Sequence, residues 1–365
     1  MKRPSSRLLL RLETALRRTR DPIEAACLRA ERAGLLARHG QADEARAELA
    51  ALQGQFALRP HPAVSAWLAM ADAWLQGEGG NADAVAHDKL KRAQALSAAA
   101  ALTPLHALSS AWLAQLDCVQ RDWDGMARNA ALALRLAGTE HPAARARACL
   151  VVAVACHFAE RMDRAQSWYA SAREHAQDEG DDATLSALNH AMTALRVQHA
   201  VQAAVFGGDA PGLARTAEVA VESTENFERW TGAALPGVAL SLLRAAVASV
   251  QEQHDKALVL YERYAAGAVL RGSGLADLAW CRWQLGDAAG ALRDAKSAKA
   301  CIDAAKQVDE RAVAHGRLAE LFKRMGDEAN GLRHEALAQE CRAAHRRAQA
   351  QAMAALEAAQ LKSPG

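Results

Sequence analysis

Two stretches of this chain, Ser273–Ala298 and Val313–Ala338, align without a gap at an offset of 40 residues. Leu278-Ala279 answers to Leu318-Ala319, and Leu285-Gly286-Asp287 to Met325-Gly326-Asp327. Leu292 answers to Leu332, and Ala298 to Ala338. Each stretch reads as an apolar helix, a Gly-Asp turn and a second helix. This is the sequence mark of a helical-hairpin repeat, which grows in one dimension instead of dividing into compact domains.

The pattern runs back through the chain. Turns fall near residues 40, 78, 121, 160, 207, 252, 286 and 326, which gives about eight hairpins at a mean period near 40. Asp21-Pro22, His61-Pro62, Thr103-Pro104 and His141-Pro142 each place Pro at a first helical position. Asp181-Asp182 caps a long helix, and Leu235-Pro236-Gly237 opens a later hairpin. Hydrophobic content is 51% but aromatic content only 4%. Alanine and leucine dominate, a balance that favours helix over strand. No period-two pattern intervenes. The spacing predicts an all-α fold, a right-handed α-solenoid or superhelix of hairpins. Residues 1–22 read as a basic capping helix, 23–344 as the repeat array, and 345–365 as a helical extension and tail.

With 44 basic and 42 acidic residues, the net charge of +2 supplies no global field for nucleic acid. Seven cysteines without paired spacing read as reduced thiols of a cytosolic protein. The apolar run Leu8-Leu9-Leu10 falls short of the about 7–15 residues of a secretory segment. The longest one, Ala148–Cys156, falls short of the roughly 18 residues that span a bilayer. These features predict a cytoplasmic protein of bacterial style with no membrane insertion.

The small residues recur at fixed repeat positions. Ala279, Gly286, Ala291 and Ala298 form one set, and Ala319, Gly326, Gly331 and Ala338 a second. Ala153, Ala165, Tyr169 and Ala172 form a third, and Ala33, Gly40, Ala45, Leu49 and Leu52 a looser fourth. On these positions the chain resembles the tetratricopeptide repeat (TPR) family. It is most similar to the divergent TPR-like helical regions, of roughly 40 residues per repeat, found in bacterial regulatory proteins. The family's late Pro is largely missing, and most repeats exceed the family's length of about 34 residues.

No catalytic constellation stands out. Gly77-Glu78-Gly79-Gly80 lacks the Gly-Lys pair of a phosphate loop, and His334-Glu335 lacks the second histidine of a zinc motif. Cys149 and Cys156-His157 share a helix face, but a metal needs more converging ligands. The expectation is a non-enzyme with no metal and no cofactor.

Trp67 and Trp74, and Trp280 and Trp283, are spaced to share helix faces. Such pairs read either as packing between helices or as a platform for a peptide. In the TPR family the first helix of each hairpin lines a concave groove. The resemblance therefore implies that Trp280, Trp283 and Gln284 face the groove, followed by Glu320, Lys323 and Arg324, with His157 beside Phe158 earlier. Asn189 and Arg196, seven apart on the long helix, join them as binding candidates. The family's carboxylate clamp for chaperone tails is not reproduced, because its positions hold Ser273, Ala276 and Trp280. The basic residues Lys2, Arg3, Arg7, Arg11, Arg17, Arg18 and Arg20 read as a solvated cap, or as a weak site for acidic protein, membrane surface or RNA. Together these readings predict a scaffold or regulator that binds a protein or peptide partner, with no nucleic acid expected. The alternative is a sensor whose superhelix changes shape on binding a small molecule or peptide. RNA binding through the basic ends ranks third.

Overall fold

The computed structural model describes residues 6–76, 81–231, 237–265, 270, 272–302, 305 and 307–364. Among these residues there are seventeen helices and no strand. Helix α1 (Arg7–Arg18) stands before eight hairpins. The first four are α2 (Pro22–Arg38) with α3 (Ala42–Phe56), α4 (Pro62–Leu75) with α5 (Asn81–Ala99), α6 (Thr103–Gln120) with α7 (Trp123–Ala137), and α8 (Pro142–Phe158) with α9 (Met162–Glu179). Next come α10 (Asp182–Phe206) with α11 (Ala210–Thr231) and α12 (Gly237–Val250) with α13 (His254–Ala265). The last two are α14 (Gly272–Gln284) with α15 (Ala288–Ile302) and α16 (Val308–Arg324) with α17 (Glu328–Ala358). This is the all-α hairpin-repeat fold that the sequence spacing predicts. The glycine cluster Gly77–Gly80 and the dipeptide Leu235-Pro236 lie outside the described residues.

The Gly-Asp turns explain why α14 and α16 stop where they do. Gly286 lies at φ +86 and Gly326 at φ +81, the left-handed region that glycine enters without a Cβ clash. Gly286 N–H donates to the Trp283 carbonyl and Asp287 N–H to the Arg282 carbonyl, at 3.0 and 2.9 Å. Gly326 and Asp327 repeat this pair on Lys323 and Phe322. These bonds satisfy the last helix carbonyls. The aspartate then caps the next helix: Asp287 Oδ1 accepts from Gly290 N at 2.8 Å, and Asp327 Oδ1 from Asn330 N at 3.1 Å. One dipeptide thus ends one helix and starts the next. The same backbone bond closes the turns at Arg121, Glu160 and Glu252, where non-glycine residues occupy the left-handed region.

Two compact units are present, one of residues 1–188, 228–234 and 350–365, the other of 189–227 and 235–349. In the first, Ala111, Ala133 and Ala148 meet at zero exposure where α6, α7 and α8 cross. Met70, Leu90 and Leu113 fill the space between α4, α5 and α6. In the second, Ala276, Ala279, Ala295 and Ala298 form the seam of α14 and α15, and Leu318, Leu321 and Phe322 of α16 close over it. Ala279 and Ala298, read from the repeat, therefore stand at a helix crossing, where a larger side chain would hold the backbones apart.

Replacing Gly286 by Ala is expected to lower stability by about 1–2 kcal/mol, the cost of a Cβ in the left-handed region. Replacing Glu252 by Gly is expected to be neutral or stabilising. Urea denaturation of both variants against the parent checks the pair, and equal loss in both would contradict the turn assignment.

Candidate functional site

In the second unit, one polar strip crosses α13, α14 and α16. It begins in the interior. Asp277 of α14 accepts from Arg317 Nε at 2.8 Å and from the Tyr261 hydroxyl at 3.2 Å. Both members of the ion pair are buried, with side chains 5–7% exposed. Burial, then the Asp277 charge, raises the Tyr261 hydroxyl well above its usual range, so it stays a donor. Burial also pushes the nearby Cys281 thiol up to about 12, which leaves it inert.

The strip continues through Trp280. The Arg317 guanidinium lies 5.3 Å from its ring centroid and that of Arg324 5.2 Å. Cation–π attraction explains why two guanidinia approach one indole. Arg324 Nε donates to Glu320 Oε1 at 2.7 Å, and both side chains are half-exposed. Gln284, at the end of α14, is exposed, and Trp283 is half-buried against the α14–α16 core. The strip thus runs from a dry ion pair to an open end. It offers hydrogen-bond donors, one carboxylate and an aromatic edge, and no nucleophile paired with a base.

The other sequence-derived candidates go elsewhere. Lys323 turns to α17 and donates to Glu335 Oε2 at 2.8 Å. His157 is buried, with Nδ1 3.1 Å from the Tyr169 hydroxyl of its own hairpin, and Phe158 stacks on Trp123. Asn189 and Arg196 are half-buried on α10. The structure therefore brings Trp280, Glu320 and Arg324 together and leaves His157 inside its hairpin.

The first unit holds a second cluster that sequence reasoning missed. Asp181 caps α10 and accepts three bonds from Arg38 of α2, at 3.0, 3.1 and 3.0 Å. Thr184 Oγ1 donates to Asp181 and accepts from Arg38 and from Arg147 of α8. Arg147 lies 4.0 Å from the centroid of Trp112, Arg38 5.3 Å from the same ring, and Trp112 meets Trp74 edge-on at 5.5 Å. Gly34 makes room for Trp74, since a Cβ there would stand 2.2 Å from the ring. Burial raises the Asp181 pKa, but Arg38, Thr184 and Arg147 outweigh it and hold the carboxyl down to about 2. Arg38 and Asp181 are 143 residues apart, so no local pattern announces them. Asp277 and Arg317 did carry a signal. They are 40 residues apart, at the same position of the two aligned repeats, with opposite charge.

One further pair sits between α16 and α17. His315 Nδ1 and His334 Nδ1 are 3.0 Å apart, both rings are buried, and His334 stacks on Phe322. Burial, then the charges of His315, Lys299 and Arg333, lowers the His334 pKa from 6.5 to about 4. Among the described residues no group of His, Cys, Asp or Glu is placed to hold a metal ion. No described helix is long and apolar enough to cross a membrane.

No family model and no curated protein matches this chain. Among solved structures, it is similar to a Rap protein complexed with competence and sporulation factor. The TM-score is 0.54 at 12% identity, over 90% of this chain and all of that one. At that identity the likeness is one of fold.

Two outcomes follow from the buried groups. The unfolded chain takes up the His334 proton near pH 6.5 and the folded chain only near pH 4. Stability is therefore fully present above about pH 6.5 and falls toward pH 4, by roughly 3 kcal/mol. Thermal melts from pH 7 to 4.5 should show a steeper fall for the parent than for His334→Phe. Separately, Asp181→Ala should cost about 3–5 kcal/mol by leaving Arg38 buried without its carboxylate. Adding Arg38→Met should recover part of that loss in a double-mutant cycle.

Proposed function

We propose that this chain is a non-catalytic helical-repeat regulator of the cytoplasm that binds a protein or peptide partner. The observation that carries this reading is the open end of the strip on α14 and α16. There Arg324 and Glu320 stand half-exposed beside Trp280 and a core that is already packed, and α14 ends in half-buried Trp283 and exposed Gln284. Trp280 fixes this end in place, because its ring holds Arg317 and Arg324. A half-exposed guanidinium with a neighbouring carboxylate suits the carbonyls and charged side chains of an extended peptide. A stack of rigid hairpins limits the ordering cost of binding. The likeness of fold to a Rap protein complexed with competence and sporulation factor supports a binding role of this kind.

Arg324→Glu with Trp283→Ala tests the assignment, since both side chains reach the surface and Trp280 stays in place. The full chain, immobilised, should retain one stoichiometric protein partner from its native cytosol, and the double variant should lose at least nine-tenths of it. Retention unchanged by the variant would sink the site. If no protein is held but a small molecule co-purifies and raises the melting temperature, the sensor reading replaces the scaffold reading.

A further inference from the structure

Helix α1 sits on the first unit through one apolar stripe and two arginines. Leu8 and Leu12, both buried, meet Leu35 of α2, with Leu9 and Leu28 beside them. Arg11, on the flank of that stripe, pairs with Glu179 at the end of α9. Arg7 lies over Gly180, the left-handed residue that ends α9. A Cβ added to Gly180 would stand 3.0 Å from the Arg7 Cβ and 3.5 Å from its Nε. Both guanidinia thus meet the C-terminus of a helix, where the dipole favours positive charge. Two of the basic residues of α1 therefore hold the helix in place.

One group in this contact is poorly matched to it. Glu31 of α2 is three residues from Leu28 and four from Leu35, so it lies on the face of α2 that meets α1. It is half-buried, and among the described residues no hydrogen bond reaches its carboxylate. The charges it faces are Glu179 of α9 and Arg11 of α1. Two carboxylates thus share one guanidinium, and Arg11 bonds Glu179. Behind Glu179 stands Asp181, already held by Arg38. Cys27, one turn before Glu31, stays a neutral thiol, because burial, then the charges of Asp21, Glu31 and Glu24, push it up to about 11. Burial, then the Glu179 charge, raises the Glu31 carboxyl from 4.5 to about 7, with Arg11 opposing. Burial raises the Glu179 carboxyl as well, again against Arg11.

We propose that α1 is a proton-controlled cap, closed on α2 and α9 while Glu31 carries a proton and loosened when Glu31 ionises. The sign follows from the two states. With α1 away, Glu31 meets water and titrates near its ordinary 4.5, and with α1 in place it titrates near 7. Closure is therefore strongest below about pH 4.5, weakens as pH rises, and levels off above about pH 7. Loosening α1 bares Leu28 and Leu35, so the device couples proton concentration to the exposure of an apolar face in the first unit. It does not involve the α14–α16 strip, so either inference can fail alone.

The test is amide hydrogen exchange of the full chain at pH 5.5 and 7.5, with each rate corrected for its intrinsic pH dependence. Protection of the α1 amides of residues 12–18 should fall by about tenfold or more from pH 5.5 to 7.5. Protection of the α8 amides of residues 151–155 should not fall. Glu31→Gln keeps the shape of the protonated carboxyl and cannot ionise. Its α1 protection should stay within about twofold across the same range and exceed that of the parent at pH 7.5 by about tenfold. Three results would overturn the proposal: parent α1 protection that does not fall, an equal fall in Glu31→Gln, or a fall that α8 shares.

Discussion

Helix backbones approach most closely, hairpin after hairpin, where the side chains at their crossings are about as small as a methyl group. This chain meets that constraint with alanine. Ala111, Ala133 and Ala148 meet in the first unit, and Ala276, Ala279, Ala295 and Ala298 in the second, all fully buried. Turn geometry, hairpin length and the set of outward side chains follow from those seams. A Gly-Asp turn is useful because it reverses the chain within two residues, and so keeps the seams of the two helices in register.

Alanine surfaces are nearly featureless, and their contact alone does not choose one helix position over another. Buried polar groups add that selection. Asp277 and Arg317 bridge two successive first helices, and Tyr261 completes the carboxylate's bonding. Asp181 ties the start of α10 to Arg38 of α2, with Thr184 and Arg147 filling the remaining bonds. Each network is closed enough to offset much of its desolvation, and an ill-matched register would leave a charge unpaired. Both clusters also place guanidinia on tryptophan faces, and those aromatic surfaces are thereby occupied from within.

That occupation explains the fate of the residues singled out from sequence. The repeat resemblance assigns Trp280 to a groove, yet its ring holds two arginines and is 8% exposed. Lys323 is one residue from Arg324 but points to α17, because neighbours on a helix are separated by about 100°. His157 found a hydroxyl partner within its own hairpin. Repeat position named Trp280, Glu320 and Arg324, which lie together, but carried no record of which of them stay open.

The helix starts, the hairpin turns and the alanine seams were determined by the sequence alone. Each depends on residues within a few positions of one another: Pro after a cap, Gly before Asp, small residues at repeat spacing. The Arg38–Asp181 lock and the histidine pair of α16 and α17 were decided only by the tertiary structure. Their partners are brought together by stacking, and a side chain's partner across a stack depends on rotation about each helix axis. Local propensity carries no record of that rotation.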